Sequence, residues 1–209
     1  MNFQRDYFID ALYKKAKKNK NIVLLSADFG APALDKFRKN LKKQFIHTGI
    51  SEQNMINVAA GLALKNKKVF VYAMAPFVTL RCLEQHKCCS SIMDLPINTI
   101  VAGIGLGYAD AGPTHYATED QASLRSLIKS KVYTVSDSIS AERLAEYLLE
   151  KKEFSFSRLE RLPVPNLYQK NNIKKIDIKN GYKYLLKNKD KKNLEISQGY
   201  QTNRLLEKI

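Results

Sequence analysis

Cysteine is scarce in this chain, and its placement excludes several chemistries. Cys82, Cys88 and Cys89 form no CxxC pair and no Cys/His spacing suited to zinc, and an odd count closes no disulfide framework. They fall in one predicted helical stretch with apolar neighbours, which points to buried, reduced thiols in a cytoplasmic protein. Long hydrophobic runs are missing as well. No segment approaches the roughly 20 apolar residues that cross a bilayer, and the opening MNFQRDYFIDALYKKAKK carries acids in place of the apolar core of a signal peptide. Acids are outnumbered, with 20 Asp+Glu against 35 Lys+Arg and a formal charge of +15. Such an excess can serve nucleic acid. Here it is mostly Lys scattered over helix faces and the tail, without an arginine stripe or basic–aromatic interleaving. A solvated, Lys-rich surface is the expectation, with no nucleic-acid or membrane partner. GIGLG (Gly103 to Gly107) is not a phosphate cradle of the GxGxxG type, no Ser stands in a nucleophile elbow, and no repeat is visible.

What is present is an alternation of helix patterns with short apolar runs. Phe3 to Lys18 reads as a helix with Phe8, Leu12 and Ala16 on one face. Strands are expected at NIVLLSAD (Asn21 to Asp28), in the extended KQFIHTGI, at KVFVYAM (Lys68 to Met74), at INTIVAG (Ile97 to Gly103) and at VYTVSDS (Val132 to Ser138). Helices are expected after Glu52, over roughly Leu80 to Met93, and in AERLAEYLLEKK behind a Ser140 cap. Near-continuous apolar strands separated by helices predict an α/β, doubly wound, mostly parallel sheet covered on both faces. Residues 1–162 are expected to form that domain. Residues 163–191, rich in Pro, Asn and Lys, read as a linker. Residues 192–209 read as one strand, a turn at Gly199 and one helix.

Doubly wound sheets place ligands at the carboxyl ends of their strands. Three polar clusters fall there: Ser26 to Asp28, His47 to Glu52, and Gly103 to His115. Taken alone they describe an acid and one or two histidines around a cleft, which names no reaction. IHTGISEQNMINVAAGLAL, GIGLGYADAGPTHYATEDQASLRSL, LLSADFGAP and SRLERLPVPNLY together resemble the pyrimidine-binding half of the transketolase family. The resemblance runs from about Phe3 to Tyr168.

The resemblance implies thiamine diphosphate as cofactor and transfer of a two-carbon ketol unit between sugars. Glu52, at the head of its helix, would hydrogen-bond the aminopyrimidine ring of the cofactor and assist its activation. Phe77 would stack on that ring, and Arg81 would either face the cleft and contact the cofactor or cap the helix surface. His115, in the GPTH turn, would contact the reacting carbonyl or hydroxyl, and His47 would be a further cleft residue. Arg158 aligns with an arginine that binds a substrate phosphate in relatives, although a surface ion pair is an equal reading of it. Two positions depart from the family: Ala111 replaces an acid that reads a donor hydroxyl, and Gly103 replaces a phosphate-binding histidine. Loss of two polar contacts implies a changed donor sugar.

A larger departure is the absence of a GDG motif, which in the family begins the site for the diphosphate and Mg2+. No metal ligand is therefore assigned to this chain. The resemblance implies a split transketolase in which an N-terminal-half subunit with GDG holds the diphosphate and Mg2+, the two subunits pairing as a heterotetramer. The sequence closes on LEISQGYQTNRLLEKI, which resembles the opening of the family's C-terminal domain, and reads as C-terminally truncated. Two other readings stay open. One is a decarboxylating enzyme subunit similar to deoxyxylulose-phosphate synthase or a 2-oxo-acid dehydrogenase β subunit. The other is a truncated, non-catalytic paralogue.

Overall fold

The computed structural model of the chain describes residues 2–27, 30–169, 176–181 and 195–207. Six strands, β1 (Ile22–Ala27), β2 (Phe45–Gly49), β3 (Lys68–Met74), β4 (Ile97–Ala102), β5 (Lys131–Thr134) and β6 (Ser155–Leu159), form one sheet in the order β2-β1-β3-β4-β6-β5. Every pairing is parallel. All six carboxyl ends therefore lie along one edge.

Alternation within the strands divides the core into two layers. Val23, Leu25, Val69 and Val71 face one side with Met55, Ile56, Ala59 and Ala63 of helix α3 (Glu52–Leu64). Ile22, Leu24, Phe70, Tyr72 and Ile100 face the other, against α1 (Gln4–Ala16), α2 (Asp35–Asn40) and α7 (Ser138–Glu150). Phe8, Leu12 and Ala16 are all buried in that second layer. The crossover from β1 to β2 thus runs behind one face, and the crossover from β2 to β3 behind the other. Since such crossovers are right-handed, the chain reverses direction at β1, and this reversal opens a crevice at the carboxyl edge.

Several local expectations are corrected. The helix expected over Leu80–Met93 starts earlier and is broken into α4 (Ala75–Val78), α5 (Leu83–Gln85) and a π-helical stretch, His86–Ile92. Thr79 marks the first break, where its hydroxyl donates to the Ala75 carbonyl at 2.7 Å and competes with the helical ladder. Asp137, not Ser140, caps α7. Its carboxylate accepts from the Ser140 amide at 2.7 Å, and Ser140 is the reciprocal member of the capping box. Of the cysteines only Cys82 is buried; Cys88 is exposed and Cys89 intermediate, and all three are free. Strand β6 has no counterpart among the expected strands.

The tail is partly outside the described residues, including Leu194 of the expected final strand. Glu195–Gln198 forms no strand, whereas Gly199 makes the expected turn at φ +61° and α8 (Gln201–Leu206) follows it. Gly199 lies against Thr134, leaving little room for a side chain. Asn203 donates to the Ser136 carbonyl at 3.1 Å and so ties α8 to the segment after β5. Among the described residues, α6 (Asp120–Arg125) is the remaining α-helix. No helix among the described residues is long and apolar enough to cross a membrane.

Candidate functional site

Three successive strand exits supply the site. β2 ends at Gly49, whose φ of +68° turns the chain sharply into α3. Glu52 is then the first residue of that helix, where an acid offsets the positive end of the helix dipole. The residue is only 5% exposed, which is unusual for an acid without a structural network around it. After β3, α4 opens with Ala75 and Pro76 and brings Phe77 and Arg81 to the same place. The loop after β4 carries the 3-10 turn Pro113–His115.

These pieces form one contact chain. Arg81 donates from Nη1 to Glu52 Oε2 at 2.8 Å. Its guanidinium also lies over the Phe77 ring, 4.2 Å from the centroid, a distance at which cation–π attraction operates. Phe77 meets His115 edge-on, with centroids 5.1 Å apart. Gln53, next to Glu52, donates to the Arg81 carbonyl at 3.2 Å, so the first turn of α3 grips residue 81 at both backbone and side chain. Beneath them Cys82 Sγ contacts the Phe77 carbonyl at 3.2 Å, and burial pushes its thiol up to about 12. An open pocket of about 470 Å³ is lined by Ile50, Glu52, Asn54, Asn57 and Arg81 among others.

The structure thus brings together Glu52, Arg81, Phe77 and His115. His47 is exposed on β2, opposite Ser26 of β1, at the same end of the sheet. Asp28 lies outside the described residues. Arg158 is placed differently. Its Nε and Nη2 donate to the two oxygens of Asp120 at 2.9 Å each, and Nη1 donates to Thr134 Oγ1 at 2.8 Å. That side chain is 8% exposed and Asp120 is fully buried. The ion-pair reading of Arg158 is what the geometry shows, and the pair is buried rather than superficial.

Three residues at the site escaped sequence reasoning. Arg161 lies over the Tyr108 ring at 4.3 Å, pairs with Asp110 and donates to the Gly107 carbonyl at 3.2 Å. The hydrogen bond from Arg161 holds the Asp110 carboxyl below its usual range, while burial raises the Tyr108 phenol. Tyr108 in turn stands 6.3 Å from His115, centroid to centroid. Gly103 explains this packing: at φ +77°, a Cβ there would sit 2.0 Å from a Tyr108 ring carbon. The glycine and the tyrosine are therefore one feature. A bulky residue at 103 and this position of Tyr108 exclude each other. The aromatic spacing in GYADAGPTH was the available signal, but nothing local links it to Gly103 or Arg161.

The profile of the transketolase pyrimidine-binding-domain family matches residues 4–165. The chain belongs to that family. Among transketolase relatives, it is 32% identical over 166 residues to an apulose-4-phosphate transketolase subunit of Phocaeicola vulgatus, covering 79% of this chain and 53% of that one. It is 31% identical over 189 residues to human transketolase, covering 89% of this chain and 29% of that one. A solved structure described as a split gene transketolase, inactive beta4 tetramer, superposes with a TM-score of 0.73 at 26% identity, covering 82% of this chain and 55% of that one. The chain thus spans about half the length of the subunit-type transketolase relatives.

The transketolase family uses thiamine diphosphate, and the donor set found here suits its aminopyrimidine. Glu52 already accepts from a flat N–H donor that rests on an aromatic ring. A planar nitrogen heterocycle makes the same two demands. Among the described residues no three His, Cys, Asp or Glu side chains converge as a metal site.

Proposed function

We propose that this chain is the pyrimidine-binding subunit of a split transketolase that transfers a two-carbon ketol unit from a ketose to an aldose. Residues 1–162 would be the working domain and 163–191 a linker. The partner would be a subunit with a GDG motif that holds the diphosphate and Mg2+, the cofactor lying between the two, with paired copies forming a heterotetramer. The observation that carries this reading is the buried Glu52 at the head of α3, facing Phe77 and His115 through Arg81.

When bound, thiamine diphosphate supplies the nucleophilic carbon and the electron sink. The chain's own work is to orient and to move protons. Glu52, nearly withdrawn from water, accepts a hydrogen bond from the pyrimidine edge and holds the shared proton there. Phe77 fixes the plane of the ring. His115 reaches the substrate side and donates to, or accepts from, the reacting oxygen. His47 lines the approach at the sheet edge.

Substrate recognition differs from that of common relatives. Ala111 offers no carboxylate to a donor hydroxyl, and Tyr108 occupies the space that Gly103 leaves. Arg158 is committed to Asp120 and Thr134, so a substrate phosphate there would have to displace a buried carboxylate. We therefore assign an uncommon ketose as donor. A resemblance in name supports this: one relative is an apulose-4-phosphate transketolase subunit. The test is reconstitution with a GDG-bearing subunit. Thiamine diphosphate should bind tightly and with Mg2+ dependence only to the pair, this chain alone offering no more than weak, metal-independent contact with the pyrimidine. Tight, Mg2+-dependent binding by this chain alone would overturn the two-subunit assignment.

A further inference from the structure

Arg81 makes both contacts that the pyrimidine of the cofactor would need. Its guanidinium covers the Phe77 ring at 4.2 Å and donates to Glu52 at 2.8 Å. A pyrimidine stacking on the face that Arg81 covers and bonding to the oxygen that it holds would require the guanidinium to leave. Arg81 also differs in exposure from its acid: its side chain is 42% exposed, that of Glu52 only 6%. The acid is fixed, and the guanidinium can leave into water. One hydrogen bond holds the pair where a bidentate fork would use two. Gln53 meanwhile anchors the backbone of residue 81, so the side chain can swing without moving the chain.

We propose that Arg81 is a placeholder: its guanidinium mimics the aminopyrimidine at Glu52 and Phe77 and must be displaced before the cofactor can seat. The inference rests on the reading of Glu52 and Phe77 as the pyrimidine site. Placeholding keeps a buried carboxylate paired and an aromatic face covered until the cofactor arrives. It also reverses the sign expected of a cofactor ligand. Removal of a ligand weakens binding, and removal of a competitor strengthens it.

The probe is 4-amino-2-methylpyrimidine, used at mildly alkaline pH where the ring is neutral and its exocyclic amino group is the N–H donor offered to Glu52, so that loss of the Arg81 charge has no direct electrostatic effect on it. Binding to the full chain is followed by NMR titration. Arg81→Ala and Arg81→Met should each bind about three- to thirtyfold more tightly than wild type, the combined worth of one exposed ion pair and one cation–π contact. Methylguanidinium should compete for the site in Arg81→Ala. In the wild type, the Arg81 Nε–Hε resonance should move toward its free position as the pyrimidine saturates the site. Unchanged or weaker binding in both variants overturns the placeholder. Glu52→Ala separates the placeholder from the site beneath it. If it abolishes binding while the Arg81 variants bind no better than wild type, the site stands and the placeholder falls. If binding is indifferent to Glu52 or absent in every form, both fall.

Discussion

Two arginine–carboxylate pairs lie at the carboxyl end of the same sheet, and they are built differently. Arg158 and Asp120 form a fork with two hydrogen bonds of 2.9 Å, and Thr134 engages the remaining Nη1. Arg81 and Glu52 share a single hydrogen bond at the mouth of a pocket. In the first pair both members are buried; in the second only the acid is. A closed pair, with each guanidinium nitrogen engaged, joins β6, β5 and α6 and is committed within the fold. An open pair keeps an acid ready for a new partner. Both arginines are candidate ligands in the sequence, and burial with bond count tells them apart.

The largest effect should come from opening the closed pair. Asp120→Ala leaves a buried guanidinium without its anion and should cost about 3–5 kcal/mol in urea unfolding. A loss below about 1 kcal/mol would erase the distinction between the pairs. A second test concerns His86, which lies under the Arg81 segment between Phe154 and Phe156, its Nε2 donating to the Val78 carbonyl at 2.9 Å. Burial pulls its pKa down to about 4 from 6.5. The unfolded chain therefore takes up the proton first as pH falls. Stability should decline from about pH 6.5 toward pH 4, at up to about 1.4 kcal/mol per pH unit. His86→Gln should flatten that limb.

A smaller effect is expected at Asp137, a buried acid satisfied by amide groups instead of a cation. It accepts from the Ser140, Leu167 and Tyr168 amides. Asp137→Ala should cost about 1–2 kcal/mol in thermal or urea unfolding, the worth of a strong helix cap. The smallest effect should come from the open pair. Arg81→Ala should change stability by less than about 1 kcal/mol, because the half-exposed guanidinium leaves a gap open to water that can solvate Glu52. A loss as large as that of Asp120→Ala would make Arg81 a structural residue.

The parallel sheet was legible because β1, β3 and β4 are near-continuous apolar runs whose type is set by burial on both faces. β6 was not, because Ser155, Ser157 and Arg158 break the pattern while being buried, Ser155 and Arg158 through hydrogen bonds made far along the chain. The Leu80–Met93 region shows the same limit. A helical period is present, but the competition of the Thr79 hydroxyl for the Ala75 carbonyl interrupts it. At the site, Glu52, Phe77 and His115 could be picked out by motif, each from its own segment. The pairing of Gly103 with Tyr108 could not, since it is a steric fact between residues of a folded loop. The commitment of Arg158 to Asp120 likewise depends on α6 packing over β6.

The central claim is that Glu52 is the proton-sharing acid of a shared thiamine diphosphate site. Its most direct test is ketol transfer by the complex of this chain with a GDG-bearing subunit, wild type against Glu52→Ala, with assembly of both complexes verified by light scattering. Wild type should transfer the ketol unit, and Glu52→Ala should lose about 10²- to 10⁴-fold in rate while assembling normally. Transfer by an assembled Glu52→Ala complex at the wild-type rate would contradict the account.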